Sequence, residues 1–293
     1  MKTKSNVSVN ILRDKNRELI YYPTPNAIRV VDDIFTSFKN GNRSFSIIGS
    51  YGTGKSSFLL ALQKTLNKDK KYFKLKDTTE YKVDFINIVG EAKSIKDVFA
   101  EYFDLHAKKS SSNDIFNEIY SSYHLLGKKN PLLIISIDEF GKFLEFAANN
   151  KPEEELYFVQ QLAEFANNSD HNIILLTTIH QNFDAYAVEL KNSQKQEWTK
   201  VKGRFKEVTF NEPIEQLLFL ASEKLADEEK AIISKKQLAE SISLLKKLNI
   251  FLYQMNLLLN VCKNLFPIDL ISAGTIAICI QRYGQNERSL FSF

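Results

Sequence analysis

The stretch Gly49, Ser50, Tyr51, Gly52, Thr53, Gly54, Lys55, Ser56, Ser57 holds the densest chemistry in this chain. Gly49, Gly54, Lys55 and Ser56 occupy every required place of the pattern G-x-x-x-x-G-K-[ST]. Glycine adopts backbone angles that other residues resist, so successive N–H groups can turn inward around an anion. At this spacing Lys55 reaches the outer phosphates of a nucleoside triphosphate, and the Ser56 hydroxyl suits Mg2+. A second cluster closes an apolar run, LLIISIDEF, on Asp138 and Glu139. The first carboxylate can hold the metal, directly or through water. The second can orient and activate an attacking water. Without the loop upstream, the same pair would read as two solvated acids at a strand end. A third stretch, TTIHQNF, offers Thr178 first and Gln181 second as the polar group that touches the terminal phosphate or the water. Threonine is common in strands, and His180 is equally well read as a packing residue. The four histidines are scattered, without the spacing of a metal site.

These groups need elements to hold them. The run 44–50, SFSIIGS, reads as a buried strand that leads into the loop, and a helix follows to about Leu66. The positive end of that helix points at the same anion. Asp138 ends a strand over 131–138, at the carboxyl edge where parallel sheets bind ligands. Thr178 ends a strand over 172–179, expected between the other two. Strands over 81–90 and 206–210 complete about five. Helices are expected over 26–41, 94–107, 114–126 and 153–167, with a polar helical stretch between 181 and 205. The alternation predicts an α/β fold, a parallel sheet flanked by helices. From Asn211 onward only helices are legible, over 213–225, 235–247, 250–264 and 268–283, which predicts an all-helical lid. The domain plan is an N-terminal extension over 1–19, an α/β core over 20–210 and the lid over 211–293. NERSLFSF resembles the opening of a further helix, so the lid is expected to continue into domains beyond Phe293.

Composition narrows the setting. The chain has 293 residues, 44% of them apolar, enough for a sizeable core. A net charge of +4 is too small to argue for nucleic acid by itself. Two cysteines, Cys262 and Cys279, make no disulfide framework. The first twenty residues lack the apolar core of a signal peptide, and the longest apolar stretch, LISAGTIAICI, is too short to span a bilayer. A cytoplasmic protein without a membrane partner is expected. The run KDKKYFKLKDTTE, 68–80, mixes lysine with aromatic residues; it reads as an irregular link or solvated hairpin arm, with contact to DNA phosphates as the alternative. Arginine is scarce, seven among 39 basic residues, and three of the seven lie at 204, 282 and 288.

The order of glycine loop, DE strand, TT strand, GRF and helical tail resembles the AAA+ class of P-loop ATPases, over about 21–293. More narrowly, HQNFDAY, the EW…VKGRF…F.EP stretch and YGQNERSLFSF are similar to the ATPase core of large bacterial phage-defence proteins, BREX-type ATPases and their relatives. The resemblance implies ATP and Mg2+, hydrolysis at the γ-phosphate, a homo-oligomer joined through ATPase interfaces, and a partner effector protein. It implies that Arg204, in KGRF, is an arginine finger acting on a neighbouring subunit's nucleotide. Arg288, in GQNERSLF, resembles a lid residue that senses the nucleotide, with Arg282 as its competitor. The long polar segment between Gln181 and Lys202 departs from typical members and leaves the finger's place open. Tyr22 and Pro23, in YYPTP, fall where the segment before the first strand borders the adenine; a rigid turn set by two prolines explains them as well. Two other classes stay open: a DNA-dependent motor or loader, and a slowly hydrolysing nucleotide-gated scaffold.

Overall fold

The computed structural model describes residues 9–75, 81–107, 109–124, 130–187, 190–211, 217–219, 221–222, 225, 240, 242–243 and 255–283. The chain divides into two compact units. One is Val9–Gly49 with Gly54–Phe210; the other takes Ser50–Thr53 and the described residues from Asn211 onward.

The larger unit is built on a five-stranded sheet, ordered β2-β3-β4-β1-β5, with every pair of neighbours parallel. Its strands are β1 (Ser44–Ile48), β2 (Lys82–Val89), β3 (Pro131–Asp138), β4 (Ile173–Ile179) and β5 (Lys206–Thr209). The helices are α1 (Pro25–Lys39), α2 (Lys55–Leu66), α3 (Ile95–Tyr102), α4 (Ser112–His124), α5 (Gly141–Asn149), α6 (Pro152–Asn167), α7 (Phe183–Tyr186) and α8 (Asn192–Lys202). The α/β class and the placement of β4 between β3 and β1 are as expected. Because β4 stands there, its carboxyl end lies between those of the loop strand and the acid strand.

Both sheet faces are covered, which the near-continuous apolar runs of β3 and β4 require. On β3, Leu132 and Ile134 face one core, while Leu133, Ile135 and Ile137 face the other. The first core is filled by α1 and α2, through Val30, Val31, Ile34 and Phe58 among others. The second is filled by α3 to α8, including Phe99, Phe143, Phe158, Phe183 and Trp198. Side chains alternate across a strand, so Asp138 follows Leu132 and Ile134, and Thr178 follows Ile174 and Leu176. Both therefore point to the face that carries α2.

Local chemistry explains the helix ends. Thr24 caps α1, its hydroxyl accepting from the Ala27 N–H at 3.0 Å, and Pro25 supplies a pre-set first position. Ile11 and Leu19, within the expected extension, are buried in the α1 side core. The basic run after α2 is irregular through Leu75, but its aromatic residues turn inward. Phe73 is buried against Phe58 and Tyr21, and the Tyr72 hydroxyl donates to the Leu19 carbonyl. The described part of this run is thus a packed link and not a solvated arm; 76–80 lie outside the described residues. Helix α5 has no counterpart among the expectations. It buries Phe143, Leu144 and Ala147 directly after the acid pair.

In the second unit, α9 (Met255–Leu265) and α10 (Leu270–Tyr283) meet through Val261, Leu265, Leu270, Ala273 and Ala277, with Leu218 and Ile242 in the same cluster. Most of the helices expected over 213–225 and 235–247 lie outside the described residues. No helix among the described residues is long and apolar enough to cross a membrane.

Candidate functional site

The loop after β1 takes the backbone its glycines allow. Gly52 and Gly54 sit at φ +75° and +86°, and a Cβ on Gly54 would meet nothing within 4 Å. The Thr53 hydroxyl donates to the Ser50 carbonyl at 2.9 Å, closing the turn, and Tyr51 is exposed. Gly54 is the N-cap of α2 in the left-handed conformation, with no side chain to cover the first N–H groups. Lys55 and Ser56 open the helix, followed by the half-buried Ser57. The Lys55 ammonium donates to the Gly49 carbonyl. Burial pushes its pKa down to about 8, against the opposing pull of Asp138 and Glu139.

Asp138 is 3% exposed at the end of β3. Burial raises its pKa, while hydrogen bonds from the Ser56 and Thr178 hydroxyls lower it. The Thr178 hydroxyl, on β4, donates to Asp138 Oδ1 at 2.6 Å and accepts from the Glu139 N–H at 3.0 Å. The Glu139 N–H also lies 3.1 Å from Asp138 Oδ1. Thr178 is 1% exposed, so its hydroxyl works from behind the acid pair.

Glu139 stands at φ +54°, left-handed backbone that a non-glycine residue rarely adopts. Several contacts hold it there. The Phe140 N–H donates to the Thr178 carbonyl at 2.9 Å, and the Lys142 N–H to the Glu139 carbonyl at 3.0 Å. On the other side, Gly90, just past β2, donates its N–H to the Asp138 carbonyl at 2.7 Å. The Glu139 carboxylate is exposed and ion-paired with the Lys142 ammonium.

His180 follows β4 directly. Its Nδ1 is 3.0 Å from the Tyr186 hydroxyl. Burial and then Lys55 lower its pKa, with Glu139 opposing, so the neutral imidazole is the favoured form beside that lysine. The Tyr186 ring reaches this place across Gly141, where a Cβ would lie 2.3 Å from the tyrosine oxygen. The sequence put Thr178 and Gln181 ahead of His180; the signal that could have raised it is its position one residue beyond the strand end. Gln181 is half-buried beside it.

Lys55, Ser56, Asp138, Glu139 and Thr178 therefore come together at the carboxyl edge of the sheet. The remaining expected residues lie on other elements. Tyr22 is exposed and Pro23 half-buried in the segment before α1. Arg204, between α8 and β5, pairs with Glu164 of α6 at 2.6 Å, and both side chains are half exposed. Arg288 and the side chain of Arg282 lie outside the described residues.

No family model and no curated protein matches the sequence. Among solved structures, the chain is similar to the Aeropyrum pernix ORC2 protein in its ADPNP–ADP complexes, at 12% identity and TM-score 0.48, over 85% of this chain and 71% of that one. It is similar to C. elegans PCH-2 at 13% identity and TM-score 0.42, over 92% of this chain and 65% of that one, under two thirds of its length. Domain III of the Thermotoga maritima replication initiation protein DnaA gives 11% identity and TM-score 0.40, over 85% of this chain and 95% of that one.

Proposed function

We propose that this chain is an AAA+-like module that binds ATP with Mg2+ and hydrolyses it. One observation carries the reading. A half-buried lysine and a serine at the start of α2 meet a buried aspartate on the same sheet face, and Ser56 is hydrogen-bonded to that carboxylate. The donor set fits the groups it would hold. A hydroxyl and a carboxylate are hard oxygen ligands of the kind Mg2+ prefers. A desolvated cation beside inward-turning glycines fits polyphosphate.

Each side chain then has a task. Lys55 and the N–H groups of 49–56 hold the phosphates. Ser56 and Asp138 hold Mg2+, which when bound neutralises phosphate charge. Thr178 fixes Asp138 and, through the Glu139 N–H, the turn that aims Glu139. The Glu139 carboxylate takes a proton from water as the water oxygen bonds to the γ-phosphorus. The bond to the ADP oxygen breaks, leaving ADP and phosphate. His180, neutral beside Lys55, is a further polar group for the γ-phosphate. Tyr22 and Pro23 border the base, and Arg204 reaches the nucleotide of a neighbouring subunit. The 211–293 region acts as the lid, with Arg288 as its nucleotide sensor. The resemblance of HQNFDAY and YGQNERSLFSF supports a wider setting: a cytoplasmic homo-oligomer that drives or switches an effector in bacterial defence against phage.

The test is Glu139→Gln, which keeps the shape and loses the base. ATP affinity by calorimetry is expected to stay within a few-fold, with turnover lower by about 10²–10⁴. Turnover at the wild-type rate removes Glu139 from this role. A folded wild-type protein that binds no ATP removes the whole reading.

A further inference from the structure

Gly90 lies outside every motif read from the sequence, yet its backbone packs directly on that of the acid pair. It is buried, and it directly follows the strand whose register sets Val89 opposite Asp138. A Cβ built on Gly90 would lie 2.0 Å from the Glu139 carbonyl oxygen, 2.8 Å from the Glu139 carbonyl carbon and 3.3 Å from the Asp138 carbonyl oxygen. All three are backbone atoms. No rotamer change relieves such a clash; backbone has to shift. The backbone that the Cβ would meet is the left-handed turn at φ +54° that bears the Glu139 side chain. The Gly90 N–H, bonded to the Asp138 carbonyl at 2.7 Å, fixes the same turn from the same side.

We propose that Gly90 is a positioning residue for Glu139: the missing side chain lets β2 press against the turn after Asp138 and hold the Glu139 backbone left-handed, which sets where its carboxylate stands. Strained backbone persists only where its surroundings over-determine it. Here the surroundings are Thr178 on one flank and Gly90 on the other. The inference rests on the reading of Glu139 as the group that activates water. A displacement near 1 Å of such a group costs about a hundredfold in rate.

The experiment compares Gly90→Ala with Gly203→Ala, where a Cβ meets nothing nearer than the Thr199 carbonyl at 3.4 Å. In the nucleotide-free protein, the Glu139 carboxyl carbon resonance, assigned by its loss in Glu139→Gln, is recorded by 13C NMR. Gly90→Ala is expected to move that resonance, and Gly203→Ala to leave it. With ATP and Mg2+, Gly90→Ala is expected to bind nucleotide within about threefold of wild type and to turn over roughly a hundredfold more slowly. In the Glu139→Gln background the same change is expected to have no further effect. An unmoved resonance overturns the proposal, as does a loss of turnover that multiplies with that of Glu139→Gln. If Gly90→Ala does not fold, Gly90→Ala/Glu139→Gly is made, because glycine at 139 has the widest choice of backbone angles with which to draw its carbonyl away from the new Cβ. Recovery of folding locates the clash at 139 and supports the proposal; no recovery overturns it. If Glu139→Gln hydrolyses ATP at the wild-type rate, the functional reading fails by itself, and the resonance still reports whether Gly90 sets the carboxylate's place.

Discussion

A single proton on Lys55 couples the candidate site to pH. Burial holds the Lys55 pKa down near 8. The cation is the form that meets phosphate, and a polyanion beside it favours the charged state. Binding is therefore expected to take up a proton when the pH exceeds 8. In magnesium-free buffer, affinity is expected to be flat below that pH and to fall by up to about tenfold per unit above it. Calorimetry in buffers of contrasting ionisation enthalpy measures the uptake, and Lys55→Ala is expected to abolish both the uptake and most of the affinity. Thr178 makes a second claim at this scale. Its hydroxyl satisfies two groups of the acid pair at 2.6 and 3.0 Å. Thr178→Val keeps the shape and strands those groups, at a cost of about 1–3 kcal/mol in chemical denaturation. Thr178→Ser is expected to restore most of it. The loop and the acid pair were legible because their motifs encode backbone and charge demands within a few residues. The partner of the Thr178 hydroxyl was not, because Asp138 lies forty positions away. Gly90 was invisible for the same reason, since a lone glycine after a strand does not announce what presses on it.

Between elements, the half-buried Asn167 forms a joint that its place at a helix end does not announce. At the end of α6, its Oδ1 accepts from the N–H groups of Arg43 and Ser44 at 2.8 and 3.0 Å, and its Nδ2 donates to the Arg204 carbonyl at 3.0 Å. One side chain thus ties the start of β1 to the turn before β5. Asn167→Ala leaves those donors unpaired and is expected to cost about 1–3 kcal/mol; a lower denaturant midpoint with an unchanged slope would confirm a local loss. Strands were the most legible elements, since β3 coincides with the apolar run 131–138. Helix α5 escaped because its nine residues start on a glycine with no side-chain cap and abut α6, so it lacks a start signal. The lysine run after α2 misled because charge pattern reports solvation of the lysines and not the long-range packing of Tyr72 and Phe73 among them.

At the scale of the molecule, the question is whether one protomer completes its own site. The Arg204–Glu164 pair joins two half-exposed groups, and such pairs contribute about 1 kcal/mol or less. Swinging Arg204 toward a neighbouring subunit is thus a small expense. The proposed trans role predicts that activity per protomer rises with concentration until the oligomer forms. Arg204→Ala protein is expected to bind ATP normally and be inactive alone. Mixed with Lys55→Ala protein it regains turnover, because the latter lends its arginine. No recovery in the mixture, with concentration-independent wild-type turnover, returns Arg204 to a surface ion pair. The strand order has a consequence for a nascent chain as well. Strand β1 is the first made, yet both its partners, β4 and β5, come from Ile173 onward. While the ribosome is still adding α3 to α6, β1 has no neighbour and its apolar residues have no sheet to join. Such non-local pairing slows folding and leaves strand edges open to aggregation. A stalled chain ending before Ile173 is therefore expected to depend on chaperones, and a few dozen more residues to release it.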